Sequence, residues 1–172
     1  MTRGILGIGV CTLDVLTQVR SFPETESVEE AESSQLMGGG PVPTALAAAS
    51  KLGTPVAMMD TLGDDWRSKT IIDELNRLGI DCDRIIIEPG SKASLASVLI
   101  RQSDGARAIR FVKSTSNPIS KDLITEELIS GHHIIHCNGR HLDACLEAGS
   151  LCQLVGSETL LSFDGGAGLS LI

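Results

Sequence analysis

The sequence predicts an α/β fold: a mainly parallel sheet covered on both faces, with a small β appendage. Three observations point there. Apolar runs of strand length alternate with segments whose apolar residues recur at helical spacing, the pattern of parallel strands joined by crossover helices. A glycine run, Gly38-Gly39-Gly40, leads straight into an alanine-rich helical stretch that ends at Gly53. The pair Asp104-Gly105 separates two β-prone runs, 95–101 and 106–112, as in a hairpin. With 172 residues the chain is long enough for one domain with a real core.

Taken in order, the first strand is expected over 4–10, a short run rich in Ile and Val. Its Gly7-x-Gly9 lacks both a third glycine and a following helix, so it is not a dinucleotide fingerprint. Asp14 comes just after, where open α/β sheets place ligand-contacting groups. Short strands are expected over 15–19 and 33–37, around an acidic connector holding Glu24, Glu26, Glu29, Glu30 and Glu32 that reads as a solvated surface.

The glycine run permits turns closed to other residues and lets a ligand approach main-chain amides. Pro41 and Pro43 suit a first helical turn, where a missing N–H does little harm. A helix start with bare amides suits an anionic or hydroxyl-rich ligand. The same residues fit equally a glycine turn feeding a closely packed helix.

A strand is expected over 55–62, then a helix over 66–78 capped by Asp64 or Asp65, with Ile71, Ile72, Leu75 and Leu78 on one stripe. A cation site at Asp64-Asp65 is the weaker alternative. Next come a strand over 84–87, the hairpin, a capped helix over 120–130 begun by Ser120, a strand over 132–137, a helix over 142–155 and a strand over 159–163. The hairpin interrupts the alternation and predicts an antiparallel appendage over the sheet's C-terminal edge. Asp164-Gly165-Gly166-Ala167-Gly168 reads as a ligand loop. A parallel strand needs helical cover and little follows residue 163, so a truncated chain is expected.

Composition narrows the function classes. One Trp, three Phe and no Tyr imply an aliphatic core and no base-stacking platform. A net charge of −8 argues against nucleic acid as a partner. No apolar run reaches membrane-spanning length and no signal peptide opens the chain, so no membrane partner is expected. The five cysteines, an odd number without tight spacing, suggest reduced thiols in a cytoplasmic protein. His132, His133, His136 and His141 cluster near Cys137, but His132 and His136 fall on one strand face and His133 and Cys137 on the other, which argues against one compact metal site, and no metal ligand is assigned. Arg107 and Arg110 point to opposite sides of their strand, leaving one for a ligand. Cys11 has no histidine near it in sequence and reads as a small buried residue.

Several motifs then stand in a familiar order: Asp14, Phe22-Pro23, Gly39-Gly40-Pro41-Val42-Pro43-Thr44-Ala45, Leu52-Gly53 and Leu62-Gly63-Asp64-Asp65. This order resembles the N-terminal part of the ribokinase-like, pfkB-type carbohydrate kinases, over nearly the whole chain to about Asp164. The resemblance implies a ribokinase-like three-layer core and a small β-lid, with lid strands near 15–20, 33–37 and 95–112 of a single unit over 1–172. Many members dimerise through the lid, so a homodimer is implied. So is ATP-dependent phosphorylation of a sugar or sugar-derivative hydroxyl, with ATP and Mg²⁺ serving the intact enzyme.

By the same resemblance Asp14 accepts hydrogen bonds from sugar hydroxyls, and Gly39 and Gly40 bring amides to the sugar. Thr44 stands where the family usually has Asn and offers one donor in place of two. Asn138 ends a strand where members often contact substrate, Arg140 is near enough to meet an anionic substituent, and Asp164 lies toward the phosphate and metal region. The family's second signature, Asp-Thr-x-Gly-Ala-Gly-Asp, supplies the anion hole and the catalytic base. Here Gly166-Ala167-Gly168 is followed by Leu169, so no catalytic residue is assigned and the chain by itself is expected to be inactive. Two alternatives remain beside the sugar kinase: an inactive binding or dimerisation module, and a nucleoside kinase of the same family.

Overall fold

The computed structural model describes residues 3–154 and 158–165. At its centre lies β1 (Gly4–Ile8), whose Ile and Leu side chains alternate between two apolar layers. Around it a five-stranded sheet runs in the order β5-β4-β1-β8-β9, with β4 (Val56–Gly63), β5 (Asp81–Glu88), β8 (His132–Asn138) and β9 (Leu160–Asp164). Every pairing in it is parallel. Parallel neighbours need crossovers, and helices supply them. They are α1 (Pro41–Lys51), α2 (Trp66–Arg77), α3 (Glu126–Ser130) and α4 (Leu142–Leu154).

The two apolar layers lie on opposite faces of this sheet. Leu6, Ile8, Ile135 and Cys137 pack with Leu128 and Ile129 of α3 and with Ala144, Ala148 and Leu151 of α4. Val56 and Met58 pack on the other face with Val42 and Leu46 of α1 and with Ile71 and Leu75 of α2. The Gly7-x-Gly9 pair earns its place by packing. A Cβ on Gly7 would come within 2.6 Å of Leu46 Cδ1 and Val42 Cγ1, so glycine lets α1 sit directly on β1. Toward the β9 edge cover thins out: Leu142, Leu146, Leu160, Leu161 and Phe163 are exposed.

A second sheet has the order β3-β2-β6-β7, from β2 (Thr12–Val19), β3 (Ser33–Gly39), β6 (Ser94–Arg101) and β7 (Arg107–Val112). It corrects three expectations. The sheet is mixed rather than antiparallel, because β2 and β6 run parallel. The chain between them returns through the main sheet and re-enters from the same end. β2 and β6 also start earlier, and β3 ends later, than their periodicity suggested. Asp14 therefore lies inside β2 rather than at the C-terminal end of β1.

The expected helix over 120–130 is broken in two. Ser120 caps only a 3-10 turn, Lys121–Leu123, and Thr125 caps α3 separately through Leu128 N–H. Ile124 is extended between them and buried, so tertiary packing overrides local helix propensity there.

At the start of α2, Asp65 is the cap and Asp64 is not. Asp65 Oδ1 accepts from Ser68 N at 3.1 Å and Ser68 Oγ at 2.7 Å, and from Ala93 N at 3.3 Å. Asp64 accepts instead from Gly90 N. Burial opposes ionisation of Asp65, but the hydrogen bonds from Ser68 and Ala93 and the Arg67 guanidinium hold its carboxyl below the usual value. A carboxyl depressed by folding adds stability above its unfolded pKa and loses it as pH falls through the folded value. Asp65→Ala is expected to lower stability by about 1–2 kcal/mol at neutral pH, and by less in acid, in urea unfolding at two pH values.

Candidate functional site

The turn after β1 carries the chain from Gly9 and Val10 into β2, where Thr12 and Asp14 follow on one strand face. β3 runs antiparallel to β2 and pairs Gly39 with Thr12 and Met37 with Asp14. The glycine run is thereby folded back onto the carboxylate. A Cβ on Gly39 would overlap the Asp14 carboxyl group and come within 2.6 Å of Thr12 Oγ1. Glycine at 39 thus keeps open the space into which Asp14 projects. Thr12 Oγ1 donates to Asp14 Oδ1 at 2.8 Å and orients it.

Gly40 has φ 104°, a left-handed conformation, and turns the chain sharply into α1. A Cβ on Gly40 would overlap the carbonyl oxygen of Val10, so α1 begins close against the turn that follows β1. The helix start offers fewer amides than expected. Pro41 and Pro43 have no N–H, which leaves Val42 as the one donor among the first three helical residues. Thr44 uses its hydroxyl locally, donating to Gly40 O at 2.7 Å.

From the other side, β8 ends in Asn138, which is 9% exposed. A Cβ on Gly9 would lie 2.9 Å from Asn138 Oδ1, so the absence of a side chain admits the amide beside α1. Asn138 Oδ1 accepts from Arg140 N at 3.2 Å, and β9 places Asp164 opposite Asn138 in the parallel register. Arg140 Nη2 donates to Ser116 O at 2.9 Å, which directs that guanidinium toward the segment before α3.

Gly9, Asn138 and Asp164 therefore meet at the C-terminal ends of β1, β8 and β9, while Asp14 and Gly39 face each other on the paired β2 and β3, reached from the end of β1 through Val10 and Gly40. Thr44 stands one helical turn further along α1. A groove of about 330 Å³ runs beside the glycine run, bordered by Met37, Gly38, Gly39, Thr44, Lys51 and Glu74; Asp14 is not among its lining residues. Glu74 accepts from Gly38 N there and anchors β3 to α2.

Thr12 and Asp60 escaped the sequence reading, and His141 entered it only beside the histidines of β8, weighed there as a metal cluster and set aside. Thr12 was accessible through strand alternation, two positions before Asp14. Asp60 and His141 are buried in contact with each other, and the only signal was a carboxylate interrupting the apolar run of β4. Cys11 is buried, and burial followed by the neighbouring Asp60 raises its thiol well above the ordinary value, so it is not an activated nucleophile. The loop residues Gly166, Ala167 and Gly168 lie outside the described residues.

The family model of the pfkB family carbohydrate kinases matches residues 3–154. Fructokinase-1 of Zea mays is 29% identical over 151 residues, covering 83% of this chain and 46% of its own length. Ribokinase of Bacillus subtilis is 27% identical over 118 residues, 69% of this chain and 40% of its own length. Among solved structures, a PfkB protein from Polaromonas superposes with a TM-score of 0.81 at 17% identity, over 99% of this chain and 58% of that one. An Arabidopsis thaliana ribokinase, complexed with ribose and ATP, superposes with a TM-score of 0.78 at 19% identity, over 98% of this chain and 55% of that one. At such identities the structures establish a shared ribokinase-like fold. The chain spans about half the length of the curated relatives it matches.

Proposed function

Because the chain belongs to the pfkB family of carbohydrate kinases, we propose that it carries the sugar-binding half of an ATP-dependent kinase acting on a sugar or sugar-derivative hydroxyl. The observation that supports this most is the Asp14 carboxylate, held by Thr12 within β2 and given room by Gly39 on β3. A fixed carboxylate and a buried amide suit a polyhydroxylated ligand that reaches both: Asp14 accepts from hydroxyls, and the Asn138 amide donates to them. Gly40 allows the ligand close to the backbone. Arg140 meets an anionic substituent where the substrate has one, and Asp164 faces the phosphate side.

The second sheet is the proposed lid, excluding water from the sugar when closed. Its row Met37, Asp14, Ala96 and Phe111 crosses all four strands on one face. Met37 and Phe111 are exposed there, which supports a homodimer through this sheet. Among the described residues no group of three or more His, Cys, Asp or Glu could hold a metal ion, and the residues present do not by themselves fit Mg²⁺. ATP and Mg²⁺ are accordingly assigned to the intact kinase and not to groups described here. Among the described residues no helix is long and apolar enough to cross a membrane, and the proposed setting is the cytoplasm.

The test uses fructose and ribose, the sugars for which relatives are named. Calorimetric titration of the 172-residue chain is expected to give binding of one of them, with no ADP formed when ATP and Mg²⁺ are added. Turnover by the chain alone would overturn the assignment of half a site. Binding of nucleosides but not sugars would favour a nucleoside kinase. No ligand, with a stable dimer in light scattering, would leave a dimerisation module; the exposed Met37 and Phe111 are the observation in its favour.

A further inference from the structure

One buried carboxylate touches both sides of the candidate site. Asp60 lies in β4 and is 1% exposed. Its Oδ2 accepts from Cys11 N at 2.7 Å, immediately ahead of Thr12 and Asp14. Its Oδ1 accepts from Thr61 N at 2.7 Å and meets His141 Nε2 at 2.8 Å. His141 has no exposed surface and closes the turn that begins at Asn138.

The tautomer follows from the partners. Ile119 N–H donates to His141 Nδ1 at 3.0 Å. A ring nitrogen that accepts carries no proton, so Nε2 holds it and donates to Asp60. A doubly protonated ring would turn Nδ1–H against Ile119 N–H. The network closes through a second path: Ser116 Oγ donates to Thr61 O at 2.6 Å, and Arg140 Nη2 donates to Ser116 O at 2.9 Å. Both Arg140 and His141 are thereby tied to β4 and to the 116–119 segment.

We propose that Asp60 and His141 are positioning residues: together they fix the Thr12–Asp14 stretch of β2 relative to the Asn138–Arg140 turn, and so set the span across which the sugar is held. This rests on Asp14 and Asn138 being the sugar contacts. Stability alone is a weak reason for such a pair, since well-packed apolar replacements of buried polar pairs are often neutral or stabilising. Geometry is a better reason, because a site displaced by about 1 Å loses much of its affinity.

The test compares His141→Leu with the conservative His141→Gln, whose amide can both donate and accept. Fructose and ribose titrations are read with amide hydrogen exchange and thermal unfolding. In His141→Leu, sugar affinity is expected to fall about tenfold or more, with faster exchange at Cys11 and Ile119 and unchanged protection in α2. His141→Gln is expected to restore affinity to within about threefold. Should His141→Leu fail to fold, Asp60→Asn takes its place, because it sets an amide donor against donors and keeps the ring's packing.

Wild-type affinity in a folded His141→Leu protein would overturn the proposal, as would a loss that His141→Gln does not restore. If the unaltered chain binds neither sugar, the functional assignment fails, and the exchange data then judge the positioning role alone. Unchanged exchange at Cys11 and Ile119 overturns it; faster exchange confined there sustains it.

Discussion

Asp14→Asn is expected to weaken sugar binding about tenfold to a hundredfold while leaving the fold nearly as stable. The substitution keeps shape and volume and replaces one acceptor oxygen by an NH₂ donor. Thr12 Oγ1 can still donate to the remaining oxygen, so the start of β2 keeps its internal bond. Asp14 is only partly buried, and the isosteric amide leaves its packing unchanged. A sugar hydroxyl donating to a carboxylate is another matter, since hydrogen bonds to charged groups contribute about 1.5–3 kcal/mol each. Titration of fructose and ribose against both proteins measures the difference. Equal affinity would remove Asp14 from the site.

Gly63→Ala is expected to lower stability by about 2–3 kcal/mol, or roughly 5–10 °C in melting temperature. Gly63 ends β4, and a Cβ there would overlap the carbonyl of Ser91 and lie 2.7 Å from Lys92 N. The obstacle is backbone, so no side-chain rotation relieves it. Either β4 or the Ser91–Lys92 turn must shift. That turn carries the bonds from Ala93 N to Asp65 and from Lys92 N to Thr115. Gly53→Ala is the comparison: nothing lies within 4 Å, and only its φ of 86° resists a side chain, at about 1 kcal/mol. Differential scanning calorimetry of both variants checks the order. A smaller loss at Gly63 than at Gly53 would contradict the packing described.

The sequence was most informative where one local signal sufficed. The glycine run and the proline pair marked the start of α1, and Asp104-Gly105 marked the hairpin turn, with Gly105 at φ 71°. The approach of the glycine run to Asp14 followed from motif order, whereas the place of Asp14 inside β2 did not. Other features depend on partners far apart in the chain. Nothing in the periodicity of β2 says that β6 will lie parallel to it, since alternation gives the face of a strand and not its neighbour. Asp60 and His141 are 81 positions apart, and neither looks unusual by itself. The scarcity of amides at the start of α1 was legible from Pro41 and Pro43, which help a helix begin and withhold donors from a ligand.

The parallel seam between β2 and β6 also orders events during synthesis. Between these strands the chain makes β3, α1, β4, α2 and β5, so the seam cannot close until most of the main sheet has been laid down. A nascent chain still anchored in the ribosome at β5 has its Asp14 carboxylate on an unfinished hairpin. The proposed pocket is complete later still, once β6 has docked beside β2 and β8 has brought Asn138 to the end of β1, well after the first helix has folded against β1.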